Sequence, residues 1–398
     1  MKVSRGSMAM LLALPSVVVC LMLVGCADES QPTPANGEPE TPSFQVDPSW
    51  PSIPNDWIFG ITSGLAIDAE ENIWVLQRPR TVAPEDADRA APPVMVFDTD
   101  GNYLKSWGGP DEGYEWPATE HGIFVDHEQN VWISGSGQGD DQILKFTNDG
   151  DFLMQIGSAG QSRGNTDTEN VNRAADLYVH ASTNELFVAD GYGNRRVIVF
   201  DAANGEFKRM WGAFGNAPSD PTEDEVVNES NPEHFSLVHG VKVSNDGLVY
   251  VADRRGMRLQ VFTVDGRFQE QILVGRTEPD PAVLTARADE MAHGQPVADL
   301  ITNVSSARQS VSQTAFSSDP EQRYLFMADR SNQEVVVLER ESLTRLSAFG
   351  QTGDRPGEFY ILHDMVSDAA GNLYTAEVNV GARAQKFNYV GTTTVSTQ

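Results

Sequence analysis

Apolar and polar residues alternate with a period of two through most of this chain, in short runs separated by clusters of Asp, Asn and Gly. That is the pattern of half-buried β-strands joined by tight turns. The runs recur as a longer unit, first as "GLAIDAEENIWVLQR…VMVFDTDGNYLKSWG", then as "GIFVDHEQNVWISG…QILKFTNDGDFLMQIG" and "LYVHASTNELFVADGYGNRRVIVFDAANGEFKRMWG". It returns as "GVKVSNDGLVYVADRRGMRLQVFTVDGRFQEQILVG", "TAFSSDPEQRYLFMADRSNQEVVVLERESLTRLSAFG" and "MVSDAAGNLYTAEVNVGARAQKFNYVG". There are six units of about four strands each, except the last, which stops before its outer strand. Val, Ile, Phe and Tyr dominate, so a helical reading fails. The expected fold is all-β, a six-bladed β-propeller in which radial repetition closes the sheet edges into a ring. "SFQVDPSW", from Ser43, is the segment expected to supply the missing outer strand and so tie the two ends of the chain together. Residues 276–308 break the period and are expected to form an insertion, part helical, between the fourth and fifth blades.

The N-terminal segment has a different pattern: a short basic stretch, an apolar run from Met8 to Val24, and then "LVGC" ending at Cys26. This is how a bacterial secretory signal ends when it is processed for lipid attachment. Residues 1–25 are therefore expected to be a lipoprotein signal, Cys26 the lipidated residue, 26–41 a flexible Pro- and Glu-rich tether, and 42–398 the propeller. The expected location is the cell envelope, with the lipid as the only membrane attachment. Cys20 and Cys26 are the two cysteines of the chain, so with one in the signal and the other lipidated no disulfide is expected. With 57 acidic against 28 basic residues the net charge is −29. Nucleic acid is excluded as a partner on that balance, and cations are drawn toward the protein.

Candidate chemistry lies in three strands that share one plan. "HGIFVDHEQNVW" begins at His121, "HGVKVSNDGLVY" at His239 and "HDMVSDAAGNLY" at His363, and in each the aromatic follows the histidine by the same interval. These are the first strands of blades two, four and six. The first strand of each blade lines the central channel, so alternate blades bring three imidazoles to one spot at the channel mouth. Three converging nitrogens with an open fourth position are the ligand set of a catalytic zinc. Ser63 and Asp176 are expected at the matching positions of blades one and three; His127, His180, His234 and His293 share no register and are expected to be structural or surface residues. Strands one and two are antiparallel, so the ends of the second strands return to the same mouth. They carry Arg78, Tyr192, Arg254 and Arg330. A fork of guanidinium N–H groups suits a carboxylate or a developing oxyanion, and a tyrosine among cations suits a general base.

With "SGLAID…LQR", "HGIFVD", "VADGYGN", "HGVKVS…VADR" and "HDMV" in place, the chain resembles the peptidyl-α-hydroxyglycine α-amidating lyases, within the NHL-repeat propellers, from about Gly60 to Phe387. The resemblance implies zinc ligands at His121, His239 and His363, a catalytic Tyr192, and active-site arginines at Arg78 and Arg254. It also implies a structural calcium held by the carbonyls of Leu65 and Ile123 and the carboxylate of Asp364. The implied reaction cleaves the C–N bond of a carbinolamide that bears a carboxylate, a small molecule or peptide, to an amide and glyoxylate. The chain departs from that pattern at Gly193, where the animal enzymes have cysteine, at Ile361, where they have methionine, and in the 276–308 insertion. The alternative is a non-catalytic propeller that binds a ligand or protein at the cell envelope.

Overall fold

Six four-stranded antiparallel sheets follow one another along the chain, and their innermost strands meet in a closed cycle. The inner strands are Ile61–Ile67, Glu120–Val125, Asp176–His180, Val238–Val243, Val311–Phe316 and Leu362–Ser367. Each touches the next, and the sixth touches the first. The expected six-bladed propeller is the structure observed. This computed structural model describes residues 39–220, 233–307 and 309–395; the signal-like segment and Cys26 lie outside the described residues. No helix among the described residues is long and apolar enough to cross a membrane.

The sixth sheet is built from both ends of the propeller. Its outermost strand is Glu40–Asp47, paired antiparallel with Arg383–Thr394 from Glu40 opposite Thr394 to Asp47 opposite Lys386. Phe44 fastens that strand sideways, its ring 5.5 Å from Phe326 and 5.1 Å from Phe349, both on the fifth blade. The hydrophobic core lies between neighbouring blades. Trp74, Leu76 and Val94 of blade one, for example, pack with Ile123, Val125 and Ile133 of blade two.

The Asp–Asn turns have a specific job. Asp126 ends the second inner strand; its Oδ1 accepts the backbone N–H groups of Glu128 (2.9 Å) and Asn130 (2.8 Å), and its Oδ2 accepts the indole N–H of the fully buried Trp132 at 2.8 Å. Asp68 does the same for Trp74 at 2.9 Å, and Asp368 for the Tyr374 hydroxyl at 3.0 Å. A carboxylate that closes the turn also satisfies the polar tip of the aromatic beneath it. In the His121 and His363 blades the interval from histidine to aromatic is therefore part of blade construction; in the His239 blade Ser244 takes the turn and the Tyr250 hydroxyl accepts from Arg340 instead.

At the other end of the second strands, Asp190 and Asp253 form fully buried ion pairs with Arg196 (2.9 Å) and Arg258 (3.0 Å). Asp253 Oδ1 also accepts the backbone N–H groups of Ser236 (3.0 Å) and Leu237 (2.8 Å). These bonds fix the loop leading into the strand that carries His239. The insertion contains the short helix Pro281–Ala286, a two-stranded hairpin and the helix Val297–Ser306. It is pinned to the loop before His363 by the Arg287–Glu358 pair at 3.0 Å.

Candidate metal and active site

Each histidine sits at a break in strand register. Pairing with the second strand slips between Glu120 and Ile123, between Val238 and Gly240, and between Leu362 and Asp364, and each slip holds one of the three histidines. A bulge re-aims a side chain that regular pleating would send elsewhere. The glycine after the histidine makes room for the neighbouring blade: a Cβ at Gly122 would lie 2.7 Å from the Ala175 carbonyl oxygen, and one at Gly240 2.6 Å from Gln313 Oε1.

The three rings are oriented by one rule. His121 Nδ1 donates to the Ala175 carbonyl at 2.7 Å, His239 Nδ1 to the Ser312 carbonyl at 2.7 Å, and His363 Nδ1 to the Ser63 carbonyl at 2.8 Å. In every case the acceptor is the backbone of the next blade. A carbonyl can only accept, so Nδ1 carries the proton and Nε2 is left with its lone pair. Burial, at 2–3% exposure, pushes all three imidazoles well below the usual 6.5. Arg78 adds to the depression at His121, Arg254 at His239, and the neighbouring His121 at His363. The rings are neutral, and their bare nitrogens face inward.

The nitrogens converge. All three ligand atoms lie within 4.8 Å of one another, and His239 Nε2 stands 3.1 Å from His363 Nε2. Two neutral imidazoles that both donate from Nδ1 cannot hydrogen-bond to each other through Nε2. A cation between them removes that conflict, and carbonyl-oriented histidines are the usual outer support of metal ligands. Ser63 Oγ, 1% exposed and without a protein partner, lines the same small chamber. The three buried histidines could hold a metal ion.

Tyr192 closes the chamber from the side. Its hydroxyl is 2.9 Å from His121 Nε2, 3.3 Å from His239 Nε2, and accepts from Arg254 Nη1 at 3.1 Å. Glycines flank it because nothing larger fits: a Cβ at Gly191 would lie 1.9 Å from the Val238 carbonyl, and one at Gly193 1.9 Å from Asn172 Oδ1. At Gly193 the glycine accommodates the close approach of the Asn172 side chain. Arg254, only 6% exposed, lies with its guanidinium carbon 5.3 Å from the Tyr192 ring centre. Arg78 Nε donates to the carbonyl of Glu120, the residue before His121, at 2.7 Å, and burial pushes its pKa down. Arg330 is pushed down to about 10, by burial first and then by Arg254.

The sequence reading missed Arg173. Its guanidinium carbon is 5.7 Å from the Tyr192 ring centre, its Nε donates to the Ser136 carbonyl at 2.8 Å, and its backbone is left-handed at φ 62°. It lies in a leading loop that shares no motif with the other blades, so no repeat could have exposed it. Asp176 needs a correction: the third inner strand lacks the bulge, and Ala175 provides the carbonyl that Ser312 and Ser63 provide elsewhere. Asp176 sits one residue deeper, where its Oδ2 accepts from Val241 N (2.9 Å), Lys242 Nζ (2.8 Å) and Gln313 Nε2 (3.0 Å). Asp364 is at the same depth; its Oδ2 accepts the Leu65 N–H at 2.7 Å and its Oδ1 the Met365 N–H at 2.8 Å. Burial pushes its carboxyl up to about 6, which Lys242 opposes and Asp176 reinforces. Among the other histidines, His127 and His293 are exposed and His180 and His234 half-buried.

Residues 235–262, which cover most of the first three strands of blade four, match the NHL repeat. NHL repeat-containing protein 3 of Mus musculus is 30% identical over 57% of this chain and 58% of its own. Peptidyl-glycine alpha-amidating monooxygenase B of Xenopus laevis is 28% identical over 58% of this chain and 26% of its own. Peptidyl-alpha-hydroxyglycine alpha-amidating lyase 1 of Drosophila melanogaster is 23% identical over 83% of this chain and 57% of its own. The chain thus spans less than three fifths of the length of these curated relatives. A streptogramin B lyase structure aligns with a TM-score of 0.47 and 13% identity over 87% of this chain and 98% of its own. The fold defines the class, a six-bladed β-propeller, and one of its blades carries a match to the NHL repeat. Its distant relatives include α-amidating lyases.

Proposed function

We propose that this protein is a zinc-dependent lyase that cleaves the C–N bond of an α-hydroxyglycine-type carbinolamide to an amide and glyoxylate. The observation that carries the reading is the set of three neutral, carbonyl-oriented imidazoles presenting bare Nε2 atoms to one point, with the Tyr192 hydroxyl against two of them. Zinc held by His121, His239 and His363 would supply a Lewis acid that acidifies a substrate hydroxyl placed against it. Tyr192, as its phenolate, takes that hydroxyl's proton to become the phenol and then returns it to the departing nitrogen. The O–H electrons become the new C=O bond of glyoxylate, and the C–N electrons leave with the amide nitrogen. Arg254 supports the Tyr192 oxygen through its N–H at 3.1 Å. Arg78, braced at Nε, turns its remaining N–H groups to the substrate carboxylate.

A structural calcium belongs to the same reading. Leu65 gives its N–H to Asp364 on the channel side, and in an antiparallel strand the C=O of a residue faces the same way as its N–H. Leu65, Ile123 and Asp364 would then hold the ion through oxygens, as calcium requires. The lipid-attachment sequence ending at Cys26 supports placing the enzyme at the cell envelope, anchored by lipid. The non-catalytic alternative is favoured by one observation, that NHL repeat-containing protein 3 has higher identity than the lyase relatives. A binding platform, however, gives no reason to turn three bare imidazole nitrogens on each other.

Metal analysis paired with glyoxylate release from an N-acyl-α-hydroxyglycine tests the proposal. About one zinc per chain and released glyoxylate are expected. His239→Ala should lose the metal from a folded propeller, and Tyr192→Phe should keep it while turnover falls on the order of 100-fold or more. Metal retained in the first variant would remove the three-histidine site, and unchanged turnover in the second would remove Tyr192 as the base. A protein without zinc would put the binding platform first.

A further inference from the structure

Acid is abundant in this chain, with 57 Asp and Glu against 28 Lys and Arg, and arginines in the same loops are readily paired. Arg196 has Asp190 and Arg258 has Asp253, each pair fully buried. Yet Arg78, Arg173, Arg254 and Arg330, which gather around Tyr192 and the histidines, have no carboxylate oxygen within 4.0 Å among the described residues. The acid that acts most strongly on Arg78, Glu120, is engaged by Arg80 at 2.6 Å and by the Trp116 indole at 2.8 Å. Four guanidiniums exceed what one substrate carboxylate balances.

The four fall into two sets. Arg78 and Arg173 are braced through Nε to the Glu120 and Ser136 carbonyls. Arg254 and Arg330, on blades four and five, use a terminal nitrogen instead, toward Tyr192 and Gln309 respectively, and each has a buried Nε–H with no partner. Arg254 is the largest single charge acting on Arg330. Arg330 is held firmly: its N–H bonds the Ser310 carbonyl at 2.7 Å, and the next residue, Ser331, donates to the Ala307 carbonyl at 2.7 Å at the end of the insertion. Two fixed cations that act on each other, have no carboxylate partner and each carry a donor lacking an acceptor suit an anion.

We propose that the substrate carries a second carboxylate, bound between Arg254 and Arg330, so that the preferred carbinolamide is a dianion whose acyl part ends in an acid. This rests on the lyase reading for the reacting end of the molecule, and the insertion acts on specificity by positioning Arg330.

The test is calorimetric binding of two unreactive glycines, N-succinylglycine and N-butyrylglycine, to the intact zinc-loaded protein and to Arg330→Gln. Neither ligand has the hydroxyl that the lyase reaction needs, so the result stands apart from turnover. The expected outcome is succinyl over butyryl by on the order of tenfold or more, the scale of a charge-assisted pair. In Arg330→Gln that ratio should collapse toward one, and Arg330→Lys should recover part of it by keeping the charge. Equal affinities in the wild type, or a preference that survives Arg330→Gln, would overturn the second-carboxylate site. Absence of glyoxylate release with the preference intact would instead count against the lyase chemistry alone.

Discussion

The protonation of three imidazoles is set by three backbone oxygens, because a histidine that donates from Nδ1 to a carbonyl accepts at Nε2 while it stays neutral. This has a pH consequence. Burial holds His121, His239 and His363 well below 6.5 in the folded state. Below that ordinary value the unfolded chain binds protons that the folded site refuses, so stability is fully present above about 6.5 and is lost as pH falls. In chelator, His121→Gln should therefore have a shallower fall in unfolding free energy between pH 7.5 and 5.5. The difference should approach about 1.4 kcal/mol per pH unit at the acid end, and parallel curves would show that the ring is not buried neutral. At this scale the histidines were legible because three copies share one register, and Tyr192, Arg78, Arg254 and Arg330 because antiparallel topology returns them to the same mouth. Arg173 was not legible, since nothing repeats around it. Asp176 was misplaced by one residue because a bulge leaves no mark in an alternating pattern.

Strands and turns divide their duties within each blade. In blades two, four and six the inner strand's first residues serve the channel through the bulge, while the residue just after the strand serves the turn. Asp126→Ala would leave the Trp132 indole N–H buried without an acceptor and open the turn at Glu128 and Asn130. A cost of about 2–3 kcal/mol is expected, read as a lower urea midpoint, with the metal content of the folded protein unchanged. A midpoint within error of wild type would mean that water replaces the carboxylate. The sequence showed the fixed interval between histidine and aromatic but not the carboxylate that joins turn to aromatic in blades two and six, because it is one Asp among many. The 276–308 insertion was legible as a loss of period, and its two helices follow from that loss; its hold on the Arg330 loop depends on contacts between segments far apart in the chain.

For the whole molecule, the architecture was readable from six repeats and one missing strand, and the structure supplies that strand as Glu40–Asp47. Phe44 is where closure can be probed. Phe44→Ala removes its contacts with Phe326 and Phe349 and should cost about 2 kcal/mol for a half-buried ring, measured by urea unfolding. Loss of tertiary structure in that variant without denaturant would show that the ring depends on this strand more than one side chain's worth.

Closure also orders events in time. Glu40–Asp47, the first strand among the described residues, pairs with Arg383–Thr394, about 340 residues further on, so a strand made early finds its partner only late. Five blades can form from local hairpins, which are fast, whereas the sixth waits for a loop of nearly the whole chain to close. Until then Arg383–Thr394 offers an unpaired edge to any strand in reach. The latch that stabilises the finished ring is thus also the step at which folding is slowest and most exposed to pairing with another copy.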